Sequence, residues 1–384
     1  MSRLERAVLV GLCRHRFGRI EVDEHLEELG LLADSAGAVV VGALVQERGP
    51  VHPGTLLRRG KVEELARLAR ELQADLVIFD EDLSPAQIKN LEKDVEAKIL
   101  DRSGLILDIF ARRARTREAR TQVELAQLRY LLPRLTRQWS HLSRQVGGIG
   151  QRGVGETQLE IDRRIIRRRI ARLASDLKEI EKERGERRKR RSAVPRVALI
   201  GYANAGKSTI MNLLTGAGTR VENRLFVTLD PLVRRCERGG RAPFLVVDTV
   251  GFIRKLPHHL VASFRSTLEE AAGADLLVHV VDSSSVALAD QMRSTRVALD
   301  ELGHSDDPCL LAFNKIDRAP AGLLDRLATE YPDAVFLSAI DPSQADLLET
   351  RLRAGLLAAR PADALVPTAA SIRTAWALAR GSDS

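Results

Sequence analysis

Through the first 110 positions, short apolar runs alternate with longer amphipathic stretches. Ala7–Leu12, Ala38–Leu44, Asp75–Phe79 and Ala97–Leu100 read as strands. His25–Ser35, Lys61–Gln73, Pro85–Val95 and Ser103–Ala114 read as helices. This alternation predicts a small parallel sheet with covering helices, an N-terminal α/β domain over residues 1–114. Gly60 and Lys61 stand at a helix start, where an anion could bind. An ordinary first turn explains them more readily.

Near residue 115 the period changes. Leu125, Leu128, Leu132, Leu135, Trp139 and Leu142 are spaced by threes and fours, as are Ile166, Ile170, Leu173, Leu177 and Ile180. Both are stripes of packed helices, and together they predict an antiparallel coiled-coil hairpin over residues 115–192. Pro133 falls inside the first helix, where a kink is expected. Between the stripes lies Gly147–Gly155, followed by Glu156 and Thr157. So much glycine does not form helix, and the break is longer than a plain turn requires. With Arg144, Arg152, Arg163 and Arg164 beside it, the tip at 147–157 suits folded RNA, read through shape and phosphates. A simple turn is the alternative. Glu179–Arg191 is almost wholly charged and reads as the hairpin's base and a linker.

The third region, 193–360, carries chemistry. A strand at Val197–Ile200 runs into Gly201, Tyr202, Ala203, Asn204, Ala205, Gly206, Lys207 and Ser208, and a helix follows from Thr209 to Leu214. This is G-x-x-x-x-G-K-[ST] in its strand–loop–helix setting, a phosphate-binding loop. Its glycines let successive N–H groups turn inward around phosphate oxygens, and the helix start adds positive charge. Lys207 is placed for the β and γ phosphates and Ser208 for Mg²⁺.

That loop alone does not choose between ATP and GTP. Phe244–Val247 is a strand ending in Asp248, Thr249, Val250 and Gly251. Asp248 can hold Mg²⁺ through water, and the Gly251 N–H can sense a γ-phosphate. Cys309–Phe313 ends in Asn314, Lys315, Ile316 and Asp317. Asp317 can accept both N1–H and the exocyclic amine of guanine, a donor pair that adenine lacks. Lys315 would lie over the base, and Asn314 would tie this loop to the phosphate loop. Ala334–Leu337 leads to Ser338 and Ala339, whose backbone could meet the guanine carbonyl. Leu225–Pro231 takes the place of a first switch. Phe226 and Val227 flank the nucleotide there, and Thr228 is the second candidate Mg²⁺ ligand. The candidate catalytic set is Lys207, Thr228, Gly251 and Asn204.

Charge adds a partner class. The net charge of the 384 residues is +8, with 44% hydrophobic and 29% charged positions, which suits a soluble globular chain of two or three domains. The excess is local: residues 111–196 hold about 25 Lys and Arg against about 10 Asp and Glu. A concentrated positive segment fits a polyanion, usually nucleic acid, although a solvated helix surface is the bland reading. Cys13, Cys236 and Cys309 lack ligand or disulfide spacing, which favours a cytoplasmic setting. No stretch approaches the ~18 apolar residues of a membrane span, and Ala7–Leu12 is too short for a signal segment. A monomer is expected.

On these motifs the chain resembles the HflX family of translation-factor-class GTPases, over residues from about 20 to 360. The specific parts are Gly147–Glu160, Leu225–Pro231 and Asp248–His258. The resemblance implies an α/β fold, a P-loop GTPase domain with a mostly parallel sheet preceded by the smaller α/β domain and the helical hairpin. It implies GTP as substrate, Mg²⁺, binding to the large ribosomal subunit and its rRNA, and ribosome splitting under stress. Asn204 matches GTPases in which that amide helps hold K⁺; a loop-stabilising amide is the alternative. Two departures stand out. Val154 replaces the family's usual proline, and the short tail at 361–384 leaves little of the family's C-terminal domain. Phe252 follows Gly251 where many GTPases place a water-orienting Gln, so intrinsic hydrolysis should be slow. His258 and His259 read as contact or solvent residues. Competing readings are a nucleotide-switched RNA-binding module with negligible turnover and an ATP-driven RNA remodeller.

Overall fold

The computed structural model describes residues 4–13, 18–47, 51–136, 158–190, 194–218, 225–226, 229–238, 240–255, 273–304 and 306–359. The tip at 147–157 with Arg144, Arg152 and Val154, then Val227, Thr228, His258, His259 and the tail at 361–384 lie outside them. Two compact units emerge, Met1–Leu177 and Lys178–Ser384.

In the first unit β1 (Glu5–Leu12), β2 (Ala38–Gln46), β3 (Leu76–Phe79) and β4 (Lys98–Asp101) form a parallel sheet in the order β2-β1-β3-β4. The helices are α1 (Arg19–Ala36), α2 (Arg59–Glu71), α3 (Pro85–Asp94) and α4 (Arg102–Arg113). Their sequence causes are local. On α2, Val62, Leu65, Ala66 and Ala69 are buried at one-turn spacing, so one stripe covers the sheet. Ser84 starts α3 with a capping box to Gln87, and Pro85 occupies the first helical position. Lys61 pairs with Glu64 within its own helix, the ordinary first-turn arrangement.

Part of the two stripes is packed together, while Trp139 and Leu142 lie outside the described residues. Helix α5 (Arg117–Leu131) brings Leu125 and Leu128 against Ile170, Leu173, Ala174 and Leu177 of α6 (Gln158–Arg190). Two sequence expectations are corrected. Pro133 does not kink a continuing helix; α5 ends at Leu131 and a 3₁₀ turn follows at Arg134–Thr136. Proline lacks the N–H and crowds the carbonyl four residues back, and a buried anchor holds the new path. Fully buried Asp101 accepts hydrogen bonds from Gly104 N, Leu83 N, the Tyr130 hydroxyl (2.6 Å) and Arg134 Nη2 (2.8 Å). The second concerns Glu179–Arg191, the stretch read as the hairpin's base and a linker: up to Arg190 it is regular helix, a continuation of α6. Glu, Lys and Arg are strong helix formers, so a stretch without an apolar stripe can still be helix.

The second unit has a six-stranded sheet in the order β10-β9-β8-β5-β7-β6. Its strands are β5 (Arg196–Gly201), β6 (Leu232–Cys236), β7 (Phe244–Asp248), β8 (Leu276–Asp282), β9 (Cys309–Asn314) and β10 (Val335–Phe336). β6 is antiparallel to β7, and the other pairings are parallel. Helices α7 (Lys207–Thr215), α8 (Leu288–Leu302), α9 (Leu323–Glu330) and α10 (Ala345–Ala359) cover it. Ile210, Met211 and Leu214 of α7 and Leu348, Leu352 and Leu356 of α10 pack on Val197, Leu199, Val246, Val278 and Val280. Central β8 has buried residues throughout Leu276–Val281, the mark of a parallel strand covered on both faces. Among the described residues no helix is long and apolar enough to cross a membrane.

Candidate active site

The carboxyl ends of β5, β7, β8 and β9 meet in one place, where an open parallel sheet presents its ligand crevice. The loop from Gly201 to Ser208 crosses that crevice. Gly201 has φ +142°, and a Cβ there would stand 2.2 Å from the Val280 carbonyl oxygen of β8. Gly206 has φ +98°, and its Cβ would stand 2.1 Å from Asn314 Nδ2. Only glycine allows both the backbone turn and these approaches. Asn204 sits at φ +63°, a left-handed conformation that Asn tolerates better than most residues.

Lys207 opens α7 and is buried at 6% exposure. Its Nζ donates to the carbonyl oxygens of Gly201 (3.1 Å) and Tyr202 (2.8 Å). Burial drives its pKa down to about 8; Asp248 opposes the shift and Lys315 adds to it. A buried ammonium in a ring of neutral carbonyls is a receptor for an anion, whose charge would restore the lysine's full protonation. Beside it, Ser208 Oγ donates to Asp248 Oδ2 at 2.6 Å. A hydroxyl and a fully buried carboxylate are the hard oxygen donors that Mg²⁺ takes alongside phosphate and water. Thr209 follows on α7.

The segment after β7 is tied to the same loop. Thr249 donates to the Leu199 carbonyl at 2.7 Å. Val250 is buried. At Gly251, a Cβ would lie 2.6 Å from Ala203 Cα and 2.9 Å from Lys207 Nζ, so this backbone rests directly on the phosphate loop. Phe252 then brackets Tyr202: its N–H donates to Gly201 O at 3.0 Å, and its carbonyl accepts from Ala203 N at 2.7 Å. The Tyr202 hydroxyl accepts from Arg254 N at 2.8 Å. The Phe252 ring is buried.

On the other side, Asn314 joins two loops. Its Nδ2 donates to Ala205 O at 2.9 Å, and its Oδ1 accepts from Ala339 N at 2.9 Å. Asp317 Oδ1 accepts from the Ser338 hydroxyl at 2.5 Å. Lys315, at φ +60°, turns to Asp282 Oδ2 at 2.6 Å.

Gly201–Thr209, Asp248–Gly251, Asn314, Lys315, Asp317, Ser338 and Ala339 therefore share one crevice. Phe226 is buried at φ +57° in the turn preceding Val227 and Thr228. Sequence reasoning missed Asp282. Its signal was an acidic residue closing the apolar run Leu276–Val281 and followed by Ser283, Ser284 and Ser285.

Family profiles match in three blocks: "GTP-binding GTPase N-terminal" over residues 23–111, "GTP-binding GTPase Middle Region" over 113–191 and "50S ribosome-binding GTPase" over 196–315. GTPase HflX of Flavobacterium psychrophilum is 48% identical over 313 residues, 82% of this chain and 76% of that protein. GTPase HflX of Escherichia coli is 45% identical over 339 residues, 87% of this chain and 79% of the relative. Among solved structures, SsGBP in complex with GDP superposes with a TM-score of 0.53 at 26% identity, covering 91% of this chain and 98% of that one.

Proposed function

The chain belongs to the HflX family of GTPases, and we propose that it binds GTP in the crevice at Gly201–Ser208 and hydrolyses it in response to the large ribosomal subunit. The observation that carries this reading is Asn314, which bonds the phosphate loop at Ala205 and the loop of Ser338 and Ala339 at once. That link ties the phosphate loop to the loop proposed to take the base.

Each residue then has a task. Backbone N–H groups of Asn204 to Ser208 face the phosphates, and Lys207 carries the compensating charge. Ser208 and Asp248, with Thr228 from the first switch, would hold Mg²⁺, which neutralises charge on the β and γ phosphates. The Gly251 N–H meets the γ-phosphate. Asp317 accepts the two guanine donors, and an adenine would bring that carboxylate neither of them. The loop at Ser338 and Ala339 borders the guanine carbonyl, with the Ala339 N–H itself donated to Asn314 Oδ1. Phe252 orients no water, since its ring is buried and its backbone groups are committed to Gly201 and Ala203. The water-orienting group must therefore come from elsewhere, and ribosomal RNA or protein is its proposed source. The basic hairpin at 115–192, with its tip at 147–157, is the proposed RNA-contacting part, and work on cytoplasmic ribosomes, including their splitting, is the role proposed for it.

The test is GTP turnover with and without ribosomal subunits, repeated with ATP. Large subunits should raise GTP turnover, Lys207→Ala should abolish it, and ATP should not substitute. Co-sedimentation with large subunits should be stronger with a non-hydrolysable GTP analogue than with GDP. Equal turnover with and without subunits would sink the proposal.

A further inference from the structure

Lys315 follows Asn314 in the base-binding loop, and its side chain is held by a residue that no nucleotide motif includes. Nζ lies 2.6 Å from Asp282 Oδ2, with both side chains largely covered at 22% and 16% exposure. Asp282 is itself oriented. Its Oδ1 accepts from Ser284 N at 2.9 Å and from Ser284 Oγ at 2.6 Å, an Asx turn that closes β8. The strand ends are also bonded to each other. Asp282 stands opposite Asn314 in the β8–β9 register, and Ser283 N donates to Asn314 O at 2.9 Å. One carboxylate oxygen thus faces the lysine while the other is fixed by the backbone.

The physics gives the pair a purpose. The stem of a lysine covers a purine face only if its ammonium is satisfied beyond the ring edge. A lysine has many rotamers, so a free one would lose affinity on ordering. A charge-assisted bond to a carboxylate made before nucleotide arrives removes that loss. Lys315 also sits at φ +60°, which fixes the direction of its Cβ. Backbone and Asp282 define the two ends of the side chain.

We propose that Asp282 is a positioning residue for guanine-nucleotide binding, acting through Lys315 by holding its stem as a preformed wall of the base pocket. This rests on the reading of the crevice as the GTP site. Because the wall touches the base and not the phosphates, GDP and GTP should be affected alike.

The experiment is titration calorimetry of the full chain with GDP and with a non-hydrolysable GTP analogue, in a double-mutant cycle of Asp282→Asn and Lys315→Met. Asp282→Asn keeps the size and an acceptor for Ser284 while removing the charge. It should weaken both nucleotides about tenfold, the equivalent of ~1.4 kcal/mol. In the Lys315→Met background the same change should alter affinity less than twofold, because its partner is gone. A purely structural role would give the same loss in both backgrounds, and that result overturns the inference. Tighter binding by Asp282→Asn overturns it too, since it would make Asp282 a competitor for the lysine. Wild type failing to bind either nucleotide would instead refute the underlying site assignment. Matching melting temperatures of Asp282→Asn and wild type confirm that folding is not the variable.

Discussion

Asn314 Nδ2 reaches the carbonyl of Ala205 across 109 residues of sequence, and the bond is buried at 2.9 Å. The same amide accepts from Ala339 N. Removing it strands one carbonyl and one N–H in the interior, at about 1–3 kcal/mol for each group left unpaired. Asn314→Ala should therefore raise the dissociation rate of GDP by at least tenfold, read by stopped-flow displacement of a fluorescent GDP. An unchanged rate would mean that the two loops hold their spacing without Asn314.

Lys207 predicts a proton linkage. Its pKa is lowered from 10.5 to about 8 in the folded chain. Between those values the unfolded chain binds more protons than the folded one, so nucleotide-free stability should rise as pH climbs through that window. A phosphate beside Nζ reverses the shift, so GDP binding near pH 8 should take up about half a proton. Uptake should vanish near pH 6.5, where the lysine is already charged. Calorimetry in buffers of different ionisation enthalpy measures this directly. GDP affinity should fall as pH rises from 8 to 9.5, and Lys207→Arg, where it binds, should flatten that dependence.

Gly251 has no room for a methyl group: the contacts at 2.6 and 2.9 Å include the Ala203 backbone, which cannot rotate away. Gly251→Ala should push the backbone after β7 off the phosphate loop. Ribosome-stimulated turnover should drop by about 100-fold, the scale of an ångström misplacement. The fold itself should lose only about 1–3 kcal/mol in urea denaturation. Turnover within twofold of wild type would show that this close approach is not used.

Asn204 separates two explanations by salt. If its amide helps hold a cation, turnover in K⁺ should exceed that in Na⁺ on the order of 100-fold, the scale of losing one preorganised stabiliser of transition-state charge. Asn204→Asp should then erase the difference. Equal rates in both salts would leave the left-handed backbone at φ +63° as the reason for Asn here.

Much of the site could be read from the chain because phosphate, magnesium and guanine each demand particular residue types at strand ends. Gly201–Ser208, Asp248–Gly251 and Asn314–Asp317 announce themselves by spacing and by the apolar runs before them. Asp282 does not, because its value depends on β8 lying beside β9 in a register that puts it opposite Asn314. The first sheet was legible through period and caps, as with Ser84 and Pro85. Pro133 was legible only as a disturbance. That the chain turns into a 3₁₀ segment depends on Asp101, a buried carboxylate 32 positions earlier that collects Tyr130 and Arg134. The charged stretch after Glu179 lacked an apolar stripe, and charge alone did not distinguish linker from helix.

The two hydrogen bonds by which Phe252 straddles Tyr202 have a mechanical corollary. A parallel bridge of this kind cannot slide by a fraction of a residue, since both bonds hold a single register. A displacement of Phe252 would either carry the mouth of the phosphate loop with it or give up these bonds. The joint therefore couples the backbone after β7 to the mouth of the phosphate loop, so that the two share one register.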